Sequence, residues 1–419
     1  MEEIQERVEY DPQLATVLDN PFPAYSWLRD NAPVYYMPRL EAFVLSRYKD
    51  VRAAARSPRD FSSVGGVGFR PPRHIRAKPG LTANESGGSG EMSLSRSDKP
   101  RHTRIRRLLS SDFLPAQLLR FHPLAESLAN ELVSAALGRE VNFVTEVADR
   151  YLPRLMGEWM GINQDDYAFV NRGAAAASAV QSGNYNPETL ARIAAFRDYF
   201  SAFAQQRQAD LDAGIFSRDT PRDLSDKLFG TGHDGSVLSL DEIKANLAIL
   251  AVGGNGNTSH FLSFLTQQLA ERPDLLERIR EEPEIIPAAT EEFLRVLATT
   301  QGLCRVTTQE MTIHGVTIPA DTSVLLLYAS ANRDPAHYDA PDEVRLDRFS
   351  KGAVGADHLT FGDGPHICLG AHLARLLIQK MLARYATSVK RIEITGPVRR
   401  GANYLVRSLE HVPVVLHPN

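Results

Sequence analysis

The segment Phe361–Gly370, which reads FGDGPHICLG, constrains the fold of this chain more than any other stretch. Its glycines permit backbone turns that a side chain would block, and they let the chain approach a flat ligand closely. The next residues, Ala371–Leu377, have helical apolar spacing, so the segment leads directly into a helix. Cys368 therefore lies near a helix N-terminus, where the dipole and free N–H groups favour a thiolate. The alternative is a buried, inert cysteine at a glycine-rich turn.

Helical periodicity dominates the rest of the chain. Four segments repeat apolar residues at intervals of three and four: Leu124–Ala136, Leu190–Leu211, Leu240–Ala270 and Ala371–Tyr385. Strand patterns are short and far apart: Pro33–Met37 with Ala42–Ser46 as a hairpin, Met311–Ile318 turning at His314-Gly315, Ser323–Tyr328, Val389–Ile394 and Val412–Leu416. The pattern predicts a mainly α fold with a small β portion. We expect residues 1–419 to form a single domain.

The composition excludes several classes of protein. With 51 acidic and 47 basic residues in 419, the formal charge is −4, which offers no basic field for nucleic acid. Two cysteines, Cys304 and Cys368, rule out a disulfide framework and favour a reducing compartment. No window approaches the ~18 apolar residues of a membrane span, and Met1–Arg7 is acidic and polar, unlike a signal peptide. We expect a soluble, cytoplasmic protein without nucleic-acid or membrane partners.

One long segment, Ser62–Pro100, is rich in Gly, Ser, Pro and Arg and has almost no periodicity. A loop of this length inside a compact domain is typical of a functional lid or of disorder. Its basic residues are candidates to face an anionic substrate: Arg70, Arg73, Arg76 and Lys78. A solvated loop is the simpler interpretation, and we favour it.

Phe361–Gly370 resembles the heme-binding signature of the cytochrome P-450 superfamily, F-G-x-G-x-H-x-C-x-G, and matches it at every specified position. The resemblance implies the cytochrome P-450 fold and a heme b cofactor (iron protoporphyrin IX) whose iron is ligated by Cys368. It also implies that Phe361 shields the thiolate, that His366 reaches a heme propionate, and that the glycines shape the cofactor loop, Gly362 and Gly370 among them.

Other segments extend the resemblance over nearly the whole chain. Glu292-Phe293-Leu294-Arg295 resembles the E-x-x-R motif of the family, and a spacing of three places both charges on one helix face. Asp347-Arg348-Phe349 resembles the segment that supplies a further arginine to that pair. The resemblance implies that this set braces the cysteine loop and performs no chemistry.

Heme propionates need cationic or hydrogen-bonding partners. His102 and Arg106 have the family's H-x-x-x-R spacing, which places them one helical turn apart on one face. Arg305 resembles the other propionate-binding position of the family. We therefore expect His102, Arg106 and Arg305 to contact propionates. The neighbouring Cys304 reads as a small apolar filler.

The predicted helix Leu240–Ala270 resembles the oxygen-activating helix of the family, whose motif is [A/G]-G-x-[D/E]-T-[T/S]. Gly253 and Gly254 match the first two places, and the resemblance implies that they open a groove for dioxygen. Three glycines in the segment 251–260 weaken a helix by about 1 kcal/mol each relative to alanine. Such a cost predicts a helix bent around a ligand.

The same helix departs from the family pattern where protons are handled. Gly256 stands in the acid place and Asn257 in the alcohol place, with Thr258 after it. Gly256 has nothing to titrate, and Asn257 can hold a water but cannot cycle a proton at ordinary pH. Proton delivery then depends on water held by Asn257, on Thr258 or on the substrate.

The resemblance implies a heme-thiolate monooxygenase that oxidises an apolar small molecule with O₂ and two electrons from a ferredoxin and ferredoxin reductase. Positive charge for ferredoxin docking is expected from Arg101, Arg104 and Arg107. A monomer is expected. Segments expected to line the substrate pocket are Ser62–Pro100, Val170–Tyr185, Leu250–Asn257 and Ala298–Leu303. Two alternatives stay open: a peroxide-driven or non-hydroxylating heme enzyme (coupling or rearrangement), and a heme-binding sensor.

Overall fold

The structure is a computed structural model that describes residues 10–70, 92–182, 185–232, 234–254, 256–350 and 356–419. The helices are α1 (Ala15–Asp19), α2 (Phe22–Asn31), α3 (Tyr48–Arg56), α4 (Arg101–Ser110), α5 (Pro115–Leu118), α6 (His122–Ala136), α7 (Asp149–Trp159), α8 (Tyr167–Gln181), α9 (Pro187–Asp212), α10 (Leu224–Lys227), α11 (Leu240–Gly253), α12 (Gly256–Glu271), α13 (Pro273–Glu281), α14 (Ile286–Leu297), α15 (Tyr328–Ala331) and α16 (Ala371–Ser388). The strands are β1 (Val34–Met37), β2 (Ala42–Leu45), β3 (Phe61–Ser62), β4 (Glu140–Asn142), β5 (Leu303–Thr307), β6 (Met311–Ile313), β7 (Val316–Ile318), β8 (Ser323–Leu326), β9 (Val389–Ile394), β10 (Arg399–Arg400), β11 (Leu409–His411) and β12 (Pro413–Pro418).

The main sheet has the strand order β1-β2-β8-β5-β3 and joins segments that are far apart in the chain. The predicted hairpin forms its edge, because β1 pairs antiparallel with β2, and β2 then pairs parallel with β8. The predicted strand Ser323–Tyr328 ends early, at Leu326, because α15 begins at Tyr328. This sheet places Arg305 of β5 beside β8.

The largest buried apolar cluster lies among the helices α4, α6, α7, α9, α12, α14 and α16 and extends to β9 and β12. A second cluster packs the main sheet against α3. The mainly α fold with a small β portion is confirmed. No helix within the described ranges is both long and apolar enough to span a membrane.

The predicted continuous helix Leu240–Ala270 is wrong in one respect. Helix α11 ends at Gly253 and α12 begins at Gly256, so two helices replace one. The interruption falls among the glycines, where helix propensity is lowest. The start of α11 is fixed by a capping box in which Ser239 and Glu242 each bond to the other's backbone N–H.

The described beginning of the Ser62–Pro100 segment is attached to the sheet. The Cys304 N–H donates to the carbonyl of Val67 at 2.8 Å. Arg70 forms an ion pair with Asp321, so its charge is not directed at a substrate. The other basic residues of the segment lie outside the described residues: Arg73, Arg76 and Lys78.

Candidate functional site

The loop that carries Cys368 is closed by a backbone hydrogen bond from the Cys368 N–H to the carbonyl of Phe361, at 2.8 Å. Two glycines in it have left-handed backbones, Gly362 with φ 70° and Gly364 with φ 71°. A Cβ at Gly364 would lie 2.5 Å from the carbonyl oxygen of Ala55 on α3. Glycine at this position is therefore required by both the turn and the close approach of a second chain segment.

Cys368 faces open space inside the protein. Its side chain is exposed, yet burial by the surrounding protein raises the pKa of its thiol, which is the combination expected of a side chain that lines an internal cavity. A hydrogen bond from the Gly370 N–H and the charges of Arg106 and Arg375 act in the opposite direction and favour the thiolate. Cys304 differs: it is 1% exposed, and burial raises its thiol pKa strongly.

The Glu292 carboxylate accepts hydrogen bonds from arginines of two segments of the chain. Arg295 donates from Nε and Nη2 to its carboxylate, both at 2.8 Å, and Arg348 donates from Nε to both oxygens at 3.1 Å. Glu292 and Arg295 are fully buried, and Arg295 also donates to the carbonyl of Pro341 at 2.7 Å. The predicted pairing across three residues is confirmed, and Arg348 comes from the predicted partner segment.

Glu291, the preceding residue, forms a second network that the sequence reasoning missed. Arg375 of α16 donates from Nε and Nη2 to its two oxygens, each at 2.7 Å, and the Nε2 of His358 lies 3.0 Å from it. The Arg375 guanidinium lies 4.7 Å from the ring centre of Phe361. Burial raises the pKa of Glu291, but the bonds from His358 and Arg375 outweigh it and hold the pKa at about 2. This network ties α14 to the helix that follows the cysteine loop.

Four basic side chains gather near the cysteine loop: His102 and Arg106 of α4, Arg305 of β5, and His366. The ring centres of His102 and His366 are 4.1 Å apart. The Nε2 of His102 is buried and has no hydrogen-bond partner among the described residues. Arg305 is 4% exposed and donates to the carbonyl of Cys304 at 2.8 Å. His102, Arg106 and Arg305, which were expected to contact propionates, thus lie in one cluster together with His366.

The electrostatics of this cluster indicate a missing anion. Burial, together with the neighbouring charge of Arg106, lowers the pKa of His102 to about 4. Burial and the charges of Arg305, His102 and Arg106 lower the pKa of His366 to about 3. Within the part of the chain that the structure describes, no carboxylate forms an ion pair with Arg106 or Arg305. Desolvated bases of like charge are favourable only when an anion joins them, so the cluster fits a ligand that carries carboxylates.

At the interruption between α11 and α12, some residues face open space and others pack against the protein. Asn257 and Gly253, one turn apart, are exposed, and a Cβ at Gly253 would meet nothing within 4 Å. A Cβ at Gly254 would lie 2.7 Å from Cγ of Met156, so this glycine permits α7 to pack closely rather than opening a groove. Thr258 is buried, at 8% exposed. Of the two glycines expected to open a groove, Gly253 therefore leaves space and Gly254 does not, and their role toward dioxygen stays a prediction.

Two of the three arginines expected to dock a redox partner are already paired. Arg104 forms an ion pair with Glu242 of α11, and the Nε of Arg101 lies 3.5 Å from the same carboxylate. One carboxylate offsets only one of these two positive charges, so the charge left for docking is smaller than expected but is not abolished. Arg107 is exposed and has no ion pair with any residue that the structure describes.

Comparisons with known proteins agree with this geometry. A family model described as Cytochrome P450 matches residues 183–386. The chain is 31% identical to the beta-dihydromenaquinone-9 omega-hydroxylase of Mycobacterium tuberculosis, over 98% of this chain and 79% of that protein. It is 30% identical to the putative cytochrome P450 123 of the same species, over 96% of both. Among solved structures, cytochrome P450 CYP109Q5 from Chondromyces apiculatus superposes with a TM-score of 0.81 at 25% identity, covering 98% of both chains.

Proposed function

The chain belongs to the cytochrome P450 superfamily, and from that premise we propose that it is a ferredoxin-dependent heme-thiolate monooxygenase with Cys368 as the iron ligand. The family uses a heme-iron cofactor. The observation that carries the assignment is the pairing of an accessible thiol with a cluster of bases in which the buried Nε2 of His102 has no hydrogen-bond partner among the described residues. Heme b fits this set of side chains, because its two propionate carboxylates are negatively charged and accept hydrogen bonds from basic groups.

Each residue of the site then has a separate task. Cys368 would bind the iron as thiolate, a form that the Gly370 N–H and the charges of Arg106 and Arg375 favour. Phe361, whose ring lies under the Arg375 guanidinium, would shield the sulfur, as the family resemblance implies. The bases His102, Arg106, Arg305 and His366 hold the propionates. Binding of that dianion raises the pKa values of the two histidines, because it supplies the charge that burial withholds.

When bound, the heme iron supplies the dioxygen-activating chemistry of the family. The chain's own residues bind and orient the substrate and exclude water from it. Gly253 leaves open space at the turn, and Asn257 would hold a water there through its amide, which donates and accepts hydrogen bonds. Thr258 and Gly254 belong to the inner, packed side of the same turn.

The substrate we propose is an apolar small molecule. The name of the first M. tuberculosis relative, an omega-hydroxylase of a menaquinone, supports a long hydrocarbon chain as one class to test. We further propose that residues 1–419 act as one monomeric domain in the cytoplasm, supplied with electrons by a ferredoxin and ferredoxin reductase that meet the exposed charge of Arg107.

The thiolate assignment is tested by exchanging each cysteine for serine. The reduced carbon monoxide complex of the wild type should show the red-shifted Soret band of thiolate ligation, and Cys368→Ser should lose it. Cys304→Ser is the matched control and should keep the band, because Cys304 is buried in the apolar cluster beside the sheet. Loss of the band in Cys304→Ser with retention in Cys368→Ser would reverse the assignment.

A peroxide-driven enzyme is the second candidate, favoured by Gly256 and Asn257 in place of an acid and an alcohol. A panel of menaquinone-4, testosterone, lauric acid and limonene is first screened by spin-state titration. Turnover of the binding compound with a surrogate ferredoxin and reductase is then compared with turnover on added hydrogen peroxide. Product with peroxide alone supports the second candidate, and tight binding without turnover under either condition supports a sensor.

A further inference from the structure

The proposed reaction consumes protons as well as electrons: RH + O₂ + 2 e⁻ + 2 H⁺ gives ROH + H₂O. Both protons have to reach a site enclosed by protein. Of the residues at the open turn, Gly253 and Gly256 have no side chain, and the amide of Asn257 does not take up a proton at ordinary pH. A titratable group has to come from elsewhere.

His260 is a partly exposed titratable side chain, with a buried Nδ1, that none of the functions above uses. It lies on α12, one turn after Gly256 and three residues after Asn257, so all three share one side of the helix. A Cβ at Gly256 would lie 3.6 Å from the Nε2 of His260 and 3.8 Å from its Cδ2. The imidazole therefore occupies the space into which a side chain at 256 would extend.

The two ring nitrogens of His260 differ in surroundings. Nδ1 is buried and has no hydrogen-bond partner in the described part of the chain. Nε2 is the nitrogen turned toward Gly256, at the interruption between α11 and α12. A buried Nδ1 without a partner among the described residues is not explained by a packing or bracing role, since buried polar atoms in folded proteins are normally paired.

We propose that His260 is the proton-relay residue of this enzyme, and that the glycine at 256 gives its Nε2 access to the open turn. In the step, a hydronium ion from the solvent gives a proton to Nε2 and becomes water, and the imidazolium passes that proton to the water held by Asn257. The ring returns to its neutral form, and no other bond changes. The inference rests on the proposed monooxygenase function.

The electrostatics suit a relay. Burial alone lowers the pKa of His260 to about 4, with no contribution from any charged group among the described residues of the elements packed against α12. The ring is therefore neutral at rest, and the imidazolium, once formed, gives up its proton readily. Asp149 of the neighbouring α7 is hydrogen-bonded to Ser259, and burial raises its pKa to about 6. If the pH dependence of the rate shows an ionisation near pH 6 and Asp149→Asn removes it, that ionisation belongs to Asp149 and not to His260.

The test compares product formed per NAD(P)H consumed, using the panel compound that binds. His260→Gln keeps hydrogen-bonding capacity but cannot accept the proton, so coupling should fall about tenfold or more, with a larger solvent deuterium isotope effect. His260→Gln with Gly256→Asp should recover most of the loss, because an acid returns to the same space. His122→Gln, a histidine on α6, is the control and should change neither quantity. Heme content and spin-state titration confirm that each variant is folded.

A second readout does not depend on turnover. In the carbon monoxide complex of ¹⁵N-histidine-labelled enzyme, the ring signal missing from His260→Gln should show an Nε2 that exchanges protons rapidly with water. An Nε2 proton protected from exchange, or unchanged coupling in a folded His260→Gln, overturns the inference. Failure of the proposed function is distinct: the wild type would then form no product with ferredoxin and reductase, whatever the imidazole signal shows.

Discussion

Removal of the Glu292 carboxylate should unfold the region around the cysteine loop. That carboxylate accepts from Arg295 and Arg348 and also from the backbone N–H of Arg345, at 2.9 Å. Glu292→Ala leaves the Arg295 guanidinium buried without an anion. Breaking a buried pair by removing one partner costs about 3–5 kcal/mol. A domain is typically stable by only about 5–15 kcal/mol, so the loss is a fifth of the total or more.

The assay is heme content per chain, with the urea midpoint where the protein stays soluble. Glu282→Ala is the matched control, because Glu282 pairs with Arg278 across one exposed helical turn at 3.7 Å. Such a pair is worth about 0.3–0.5 kcal/mol, so this variant should retain heme and shift the midpoint little.

One result would refute the bracing role. A soluble Glu292→Ala protein that holds a full complement of heme, with a urea midpoint no lower than that of Glu282→Ala, is incompatible with a buried carboxylate that neutralises arginines from two segments. Glu292→Gln separates charge from shape. It should lie between Glu292→Ala and the wild type, because the amide can still accept hydrogen bonds while the charge is lost.

Three further changes follow from particular distances and pKa values. Gly364→Ala forces a side chain to φ 71° and against the carbonyl of Ala55, which should cost about 2–4 kcal/mol and be measured as heme loss. Glu291 has a pKa of about 2, below its unfolded value, so the stability it adds is present above pH 4.5 and is lost toward pH 2. Glu291→Gln should remove about 3 kcal/mol of acid-dependent stability from urea midpoints measured against pH. Asp149, with its pKa raised to about 6, disfavours folding above that pH, so Asp149→Asn should be more stable than wild type at pH 7, by about 1–3 kcal/mol.

A specific result would contradict each of these three predictions. Gly364→Ala with normal heme content means that the loop moves away from α3 without loss. A Glu291→Gln protein whose midpoint falls in acid as steeply as that of the wild type means that another carboxylate dominates. An Asp149→Asn protein that is less stable at pH 7 means that the bond to Ser259 outweighs the desolvation of the carboxyl.

Sequence patterns correctly predicted the structural elements that are formed by residues close together in the chain. The hairpin β1–β2, the helix after the cysteine loop and the Glu292–Arg295 pair all depend on residues close in sequence, and the structure has them as expected. The glycine spacing in 361–370 likewise has a direct physical reason, since two of these glycines have left-handed backbones.

Features that depend on distant partners were not predictable in this way. Arg104 was expected to be free, because nothing in its own segment shows that Glu242 lies beside it, 138 residues later in the chain. Glu291 was missed because Arg375 and His358 reach it from other segments. Gly254 was misinterpreted because its close neighbour, Met156, belongs to α7. In each case the deciding contact is tertiary.

The interruption between α11 and α12 also has a mechanical consequence. An unbroken helix across the cavity would have to stretch or lose main-chain hydrogen bonds in order to bend. Here α11 packs mainly with α8 and α9, whereas α12 packs mainly with α7, α13, α14 and β9 and only weakly with α8. The two helices therefore have largely separate neighbours, so a shift of α8 and α9 together with α11 is not transmitted through one continuous helix to α14 beside the cysteine loop.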